Sequence, residues 1–279
     1  SGIRPSSVTF VFRKSIARNF FSDAGLIPLG KIQSLKDIQL ERAKITDAGV
    51  GHLSKLPLVG INLNTTGVGD GALEVFGKIL TLRSIQMDST NISDSGMMNL
   101  KDLPALQRLR IHYCDITDGY SALKGKTSLQ RLELRDTSIR DEQLKMLCQL
   151  PEITYLNLSE CRLISAEGLA SVGDLKKLTY LGLWETKTND DSFAAYKGLT
   201  SLQTLNLEAT GITDESVPLL LTFTQLTDLN LAGTQLTDQG FSQLNQLKNL
   251  KKLNVANTRI GFDIIDELFE ALPDCDIIE

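Results

Sequence analysis

Histidine, tryptophan, cysteine and long apolar runs are all scarce in this 279-residue chain, and each scarcity removes a class of function. Two histidines, four cysteines and one tryptophan leave few side chains for metal ligation or nucleophilic catalysis. No His-Glu-x-x-His, paired Cys-x-x-Cys or Gly-x-Ser-x-Gly occurs, so neither a metalloenzyme nor a serine hydrolase is supported, and no cofactor or metal is expected. No run of about 18 apolar residues is present, so no membrane span is expected. Lys and Arg number 29 against 34 Asp and Glu, a net charge of −5, which argues against nucleic acid as a partner because that needs a basic field. The chain begins at Ser1 rather than methionine, which leaves room for a removed upstream signal segment and leaves the compartment open between cytoplasm and export.

What is present is a repeat. Leu-x-x-Leu-x-Leu-x-x-Thr-x-Ile-Thr-Asp-x-Gly returns every 23 to 25 residues, clearest at Leu82 to Gly96, Leu106 to Gly119, Leu202 to Asp214 and Leu226 to Gly240. Aligned on the first apolar residue, modules start at Val11, Leu35, Leu58, Leu82, Leu106, Leu129, Ile153, Leu178, Leu202, Leu226 and Leu250. A fixed period of this length means a solenoid, whose units bury their apolar faces against their neighbours. The expectation is one domain over residues 1–279 with about 10–11 modules. Residues 1–34 would form an irregular N-terminal cap or first repeat, and 259–279 a C-terminal cap.

Positions 1, 4 and 6 of each module are apolar, as in Leu202, Leu205 and Leu207. The alternation at 4 and 6 marks a short strand with one buried face, stacking in parallel on its neighbours. Position 9 is usually threonine (Thr66, Thr90, Thr137, Thr186, Thr210, Thr234 and Thr258), with Cys114 and Cys161 in two copies and Ala43 in one. A small residue fits where the chain bends inward, and a hydroxyl can satisfy backbone groups freed there. A Thr/Ser-Asp pair follows, at Asp23, Asp47, Asp94, Asp118, Asp214 and Asp238, with Asp70, Asp141 and Asp190 in looser copies. An aspartate just before a helix reads as an N-cap rather than as a metal ligand.

These copies resemble the leucine-rich repeat family over roughly residues 11 to 277. The 24-residue Thr-x-Ile-Thr-Asp-x-Gly-Leu form is similar to bacterial repeats abundant in planctomycetes, and more distantly to the cysteine-containing repeats of F-box proteins. The resemblance implies an α/β fold: a curved right-handed solenoid with a parallel sheet on its concave face and helices outside. It also implies protein binding through the concave surface, without naming a partner. Extracellular animal members usually carry cysteine clusters in flanking caps, whereas Cys114, Cys148, Cys161 and Cys275 each sit inside a repeat. Cys114 and Cys161 share a column two modules apart, roughly 10 Å at the strand spacing, beyond disulfide reach. All four read as buried and reduced.

Some segments depart from the pattern. Ile164-Ser165-Ala166-Glu167-Gly168 carries an extra residue, so Ser165 takes over as cap. In the Val11 module Lys14 falls at an inward position, and alternating Val8, Phe10 and Phe12 offer another opening strand. Phe262 to Leu272 reads as a final helix with Ile264, Ile265, Leu268 and Phe269 inward. Leu272, Cys275 and Ile277 then repeat the spacing of positions 1, 4 and 6, as a half-module closing the sheet edge. Planctomycete members often end on a similar Leu-Pro-x-Cys segment. Gly125-Lys126-Thr127 echoes a phosphate loop, but Gly119 is one residue too distant and the helix-to-strand order is reversed. His52 falls on an outer helix face, and the Asn64, Asn91 and Asn157 glycosylation triplets carry little weight.

Positions 3, 5, 7 and 8 should point out of the sheet and are where function can reside. In the terminal modules they are small or polar, as in Asp228, Asn230, Lys252 and Asn254. The centre differs: Arg108, Arg110, His112 and Tyr113, then Arg131, Glu133, Arg135 and Asp136, then Tyr155 and Glu160, then Tyr180, Trp184 and Glu185. Trp, Tyr and Arg dominate binding hot spots because they bury large areas with few rotors. The expected partner-binding set is Arg108, Arg110, His112, Tyr113, Arg131, Arg135, Tyr155, Tyr180, Trp184 and Glu185. The bland reading is a self-satisfied network in which these arginines pair with Glu133, Asp136 and Glu160. A protein partner is the first expectation, and a glycan stacking on Trp184 and the tyrosines, or a scaffold segment of a larger protein, the alternatives. An enzymatic pairing of His112 with Glu133 or Glu160 would need an enclosed pocket.

Overall fold

The computed structural model describes residues 8–11 and 21–279, which fall into two compact units divided after Ser138. In the first unit β1 (Val8–Val11), β2 (Leu35–Gln39), β3 (Gly60–Asn62), β4 (Ser84–Gln86), β5 (Arg108–Arg110) and β6 (Arg131–Glu133) pair in parallel, each with the next. In the second, β7 (Tyr155–Asn157), β8 (Tyr180–Gly182), β9 (Thr204–Asn206), β10 (Asp228–Asn230), β11 (Lys252–Asn254) and β12 (Asp276–Ile278) do the same. Short α- and 3-10 helices alternate with the strands on the opposite side of each sheet.

Position 4 of each strand carries the buried leucine or isoleucine expected of it, from Ile38 and Ile61 to Leu229 and Leu253, none more than 1% exposed. Position 6 is equally closed, from Leu40 to Val255. Burying each such side chain contributes about 1.5–3 kcal/mol, and only the adjacent repeats can provide the surface. In β1 the register pairs Phe10 with Ile38, so Phe10 holds position 4 and the module does not start at Val11. Phe12 and Lys14, the other residues of those two readings, lie outside the described residues.

After each strand the chain turns inward by one device. Position 8 takes a positive φ in every full repeat from Arg42 through Tyr113, Glu160 and Glu185 to Asn257, between 50° and 64°, and only Gly233 is a glycine. That conformation costs a non-glycine residue about 1–2 kcal/mol. It is offset by a lateral bond from the position-8 N–H to the next repeat, as in Thr65 to Asp88 O (2.7 Å) and Glu185 to Glu208 O (3.0 Å). Threonine at position 9 then donates its hydroxyl to the position-6 carbonyl, as in Thr66 to Leu63 (2.7 Å), Thr186 to Leu183 (2.7 Å) and Thr258 to Val255 (2.6 Å). The expected role of that column holds.

The aspartate column does something other than capping its own helix. Asp23, Asp47, Asp70, Asp94, Asp141, Asp190, Asp214 and Asp238 line the mouths of the helices as first helical residues, not as N-caps. Their carboxylates reach across to the following repeat. Asp23 accepts from the Thr46 N–H (2.8 Å) and hydroxyl (2.6 Å), and Asp70 from the Ser93 N–H (2.7 Å) and hydroxyl (2.6 Å). Asp190 and Asp214 engage Thr213 and Thr237 in the same way, and Asp141 engages Ser165. Being one residue further along, the carboxylate overshoots its own N-terminal N–H groups and meets those of the neighbour. The motif glycine two residues later follows from this. A Cβ on Gly49 would lie 2.2 Å from Asp23 Oδ1, and one on Gly96 2.1 Å from Asp70 Oδ1. Ser165 does cap its helix, accepting from the Gly168 N–H at 3.0 Å.

The C-terminal helix, Phe262–Ala271, buries Ile265 and Leu268, leaves Ile264 half-buried and turns Phe269 outward at 45% exposure. Phe269 is therefore not an inward residue; it lies about two helical turns from Phe262 on the same face, and Phe262 is also exposed. Closure of the edge is real but shifted: Ile277 pairs with Leu253 and so holds position 4, not 6. All four cysteines are buried and free. Lys126 is buried too, its Nζ donating to the Leu103 (2.7 Å) and Lys101 (3.0 Å) carbonyls at the end of the preceding repeat's helical segment. It is a structural cap, as the rejected phosphate loop requires. His52 is exposed, and Asn64 is buried with its Oδ1 accepting from the Asp88 N–H (2.8 Å).

Two outcomes of this geometry are measurable. Gly96→Ala forces Asp70 out of its bonds and should destabilise the protein by about 2–3 kcal/mol in urea unfolding. Gly51→Ala, where a Cβ meets nothing within 4 Å in a right-handed helical turn, should stabilise it by about 0.4–1 kcal/mol. For Asp70 and Asp94, burial alone would raise the pKa, but the hydrogen bonds from Ser93 and Ser95, and from Thr117 and Gly119, outweigh it and hold both below 3.8. A depressed folded pKa gives stability that is present above the unfolded value and lost as pH falls through the folded one. The urea midpoint should therefore drop as pH falls below the ordinary carboxylate range and through the lowered folded values, less steeply in Asp94→Asn.

Candidate functional site

In the first unit the exposed face of β5 and β6 is built around a buried carboxylate that sequence reasoning passed over, Asp88. It stands at position 7 of its repeat, 6% exposed, and its Oδ1 accepts the His112 N–H at 2.9 Å. In five repeats that position-7 N–H bonds to an asparagine two residues earlier, as Asn64 N–H does to Asn62 Oδ1 (2.9 Å). Gln86 and Arg110 replace the asparagine here, so the preceding repeat's position-7 side chain substitutes, Asn64 for Asp88 and Asp88 for His112. The break in the asparagine column was the available signal.

The same carboxylate holds Arg110, whose Nε lies 2.6 Å from Asp88 Oδ2. On β6, Arg131 Nε lies 2.5 Å from Glu133 Oε1. The self-satisfied pairing is thus realised for Arg131, whereas Arg110 is satisfied by Asp88, outside that expected set; both are half-buried, while Arg108 is exposed. Tyr113 is 45% exposed, with the Arg135 guanidinium 5.4 Å from its ring centroid. Holding a bulky aromatic at positive φ is costly, so Tyr113 is maintained against the local preference of the turn.

His112 departs from its expected place in the partner-binding set. It is 8% exposed, with Nδ1 3.8 Å from Asp88 Oδ2 and Nε2 4.0 Å from Glu133 Oε2. With its ring between Asp88 and Glu133, His112 presents little surface to a partner. Burial lowers its pKa first of all; Asp88 and Glu133 oppose that, and Arg110 and Arg135 add to it. The imidazole is neutral at pH 7.

In the second unit, Tyr155 and Tyr180 are register partners on β7 and β8, and their rings stack at 3.8 Å between centroids with 4° between planes. Both are half-buried, as is Trp184, and Glu185 is exposed. Gly182 makes room for this: a Cβ there would lie 3.3 Å from Tyr180 Cε1 and 2.8 Å from Asn157 Oδ1. Arg162, at position 10 and outside the strand positions considered, bridges Glu160 (3.1 Å) and Glu185 (2.6 Å). Beyond Tyr180 lies a trough of about 200 Å³ over β9 to β11, lined by Thr204, Asn206, Asp228, Asn230, Lys252 and Asn254. Among the described residues no set of three or more His, Cys, Asp or Glu is placed to hold a metal ion, and no helix is long and apolar enough to cross a membrane.

Comparison with known proteins agrees with this construction. The family model described as Leucine Rich repeat matches residues 150–173. No curated protein matches the sequence. Among solved structures, an internalin (inlF) from Listeria monocytogenes is 22% identical with a TM-score of 0.57, over 90% of this chain and 82% of that one. Internalin C2 from the same organism is 26% identical with a TM-score of 0.51, over 65% and 72%. The plant peptide hormone receptor RGFR1, solved in complex with RGF2, is 16% identical with a TM-score of 0.50, over 83% of this chain but 45% of that one. Residues 150–173 match a leucine-rich repeat, and the fold of the chain is similar to that of these solenoids.

The burial of His112 has a direct readout. Its ring should titrate below 6.5 by NMR, and lower still in Asp88→Asn, which removes a charge that favours the imidazolium. The unfolded chain takes up that proton first, so stability present above pH 6.5 should decline as pH falls toward the folded value. A ring titrating at or above 6.5 would contradict the buried placement.

Proposed function

We propose that this leucine-rich repeat protein is a non-catalytic interaction module that binds a protein partner through the exposed side chains of its strands. The observation that carries the reading is the Tyr155–Tyr180 stack, a preorganised aromatic surface left half open to solvent, in the same unit as half-buried Trp184. Rigid aromatics of this kind lose little entropy on binding and bury large areas. Glu185, with Arg162 held between it and Glu160, forms a charged rim in the same unit. In the first unit Arg108, Tyr113 and Arg135 are the contact residues. Arg110 and Arg131 serve there as half-buried supports whose charge is balanced by Asp88 and Glu133.

Catalysis by His112 is disfavoured by its burial and by the commitment of Asp88 to Arg110 and of Glu133 to Arg131. A general base must reach a substrate proton, and this one is covered. The likeness to RGFR1, which was solved with RGF2, fits a receptor-like use of the same scaffold.

A pull-down from native extract tests the proposal. Tyr155→Ala/Trp184→Ala and, separately, Arg108→Glu are compared with wild type at matched melting temperature. Arg110 is left alone, because reversing it would set a second carboxylate against buried Asp88. A protein retained by wild type and weakened roughly tenfold or more in the aromatic variant supports the reading. Equal capture by every variant sinks the assignment of these residues.

A further inference from the structure

The trough beside Tyr180 lies in modules whose outward residues look unremarkable in sequence. Its shape comes from the stack. Tyr155 and Tyr180 extend from adjacent paired strands, and their rings lie parallel at 3.8 Å, close to the strand spacing of about 4.8 Å. The ring planes therefore face along the row of strands, and the second face of Tyr180 looks toward β9. There the row continues with Thr204, which is too short to fill the next place in the stack. Asp228 follows in register on β10 and Lys252 on β11. Between Tyr180 and Asp228, two strands apart and so about 10 Å, a gap one ring thick stays open.

The polar lining of that gap is oriented. Asn206, Asn230 and Asn254 each accept a backbone N–H with Oδ1, from Glu208 (2.9 Å), Ala232 (3.0 Å) and Ala256 (3.0 Å). Each amide group is thereby turned to present its Nδ2 as donor. Asn230 spends it on Glu208 Oε2 (2.8 Å), whereas no bond engages Nδ2 of Asn206 or Asn254 among the described residues. Asp228 Oδ2 accepts the Thr227 hydroxyl at 2.7 Å and leaves Oδ1 to the trough. Lys252 is exposed beside it, so the two charges of the lining cancel.

We propose that this trough binds a neutral pyranose ring, one sugar unit of a glycan. The sugar seats over Thr204 with its C–H face on the free face of Tyr180, where the electron-rich ring attracts polarised C–H groups. Its hydroxyls meet Asp228 as acceptor and Asn206, Asn254 and Lys252 as donors. A volume of about 200 Å³ suits one such ring. A partner's aromatic side chain in the same place would offer no polar groups to the carboxylate and the amides. A polyol ring satisfies both the aromatic wall and the polar lining.

Saturation-transfer NMR on the full chain tests this with the methyl pyranosides of glucose, galactose, mannose and N-acetylglucosamine. At least one should bind saturably with Kd on the order of millimolar, as expected of a single ring, and persist at high salt because the ligand is neutral. Thr204→Tyr extends the stack into the gap and should weaken binding at least tenfold with an unchanged melting temperature. Asp228→Ala should do the same by removing the acceptor. The proposal fails if none of the four binds, or if Thr204→Tyr binds as well as wild type. It also fails if Thr204→Tyr abolishes capture of a protein partner while no pyranoside binds, since the trough then belongs to a protein interface. Thr204 and Asp228 lie outside the protein-binding residues proposed above, so either reading can fail alone.

Discussion

Each repeat leaves polar groups that only its neighbour can satisfy, and the rest of the structure follows from that lateral dependence. The carboxylate of Asp23, Asp70, Asp190 or Asp214 lands on the N–H and hydroxyl of a residue 23 positions later. Charge-assisted bonds of this type contribute about 1.5–3 kcal/mol, more than a neutral pair. They repeat beside a leucine core that is equally incomplete in one module. Order thus propagates between neighbours rather than closing inside a unit. The Thr-Asp-x-Gly motif is the imprint of this contact: two of its residues receive the previous aspartate, and the third reaches for the next helix.

The same logic separates framework from surface. Positions 4, 6 and 9 are committed to packing and to the turn, and position 8 to a left-handed conformation that most side chains resist. Asn62, Asn157, Asn206, Asn230 and Asn254 at position 5 tie down the N–H two residues on. Where that column is broken, as at Gln86, Arg110, Glu133 and Gly182, the face acquires features of its own. Where Arg110 stands in place of the asparagine, Asp88 takes over the N–H of His112. Loss of any side chain at Gly182 lets Tyr180 stand flat against Tyr155. Variation on the exposed face is therefore tied to substitutions in one framework column.

Much of the fold could be read in one dimension. The period, the apolar positions 1, 4 and 6, the threonine turn and the cap at Ser165 are local properties repeated many times, and repetition averages out accident. The errors fall where repetition ends or where a residue acts outside its own module. The opening module does not start at Val11, because Phe10 of the alternative strand holds position 4, and Ile277 sits two places from its expected position. Phe269 turns outward at the last helix, and the aspartates serve the following helix instead of their own. At an end there is only one neighbour, so spacing alone does not decide register.

By itself the sequence determined the architecture, because each repeat encodes its strand, bend and helix within two dozen residues. It also picked out the aromatic and arginine residues of the exposed face, since composition at positions 3, 7 and 8 is visible without coordinates. Only the tertiary structure decided which of them are accessible and which are held. Pairing of Arg110 with Asp88, the burial of His112, the bridge through Arg162 and the gap over Thr204 all depend on distances between side chains about one repeat apart. Those distances depend on strand spacing and on where each neighbour's hydrogen bonds are spent, and a linear pattern carries neither.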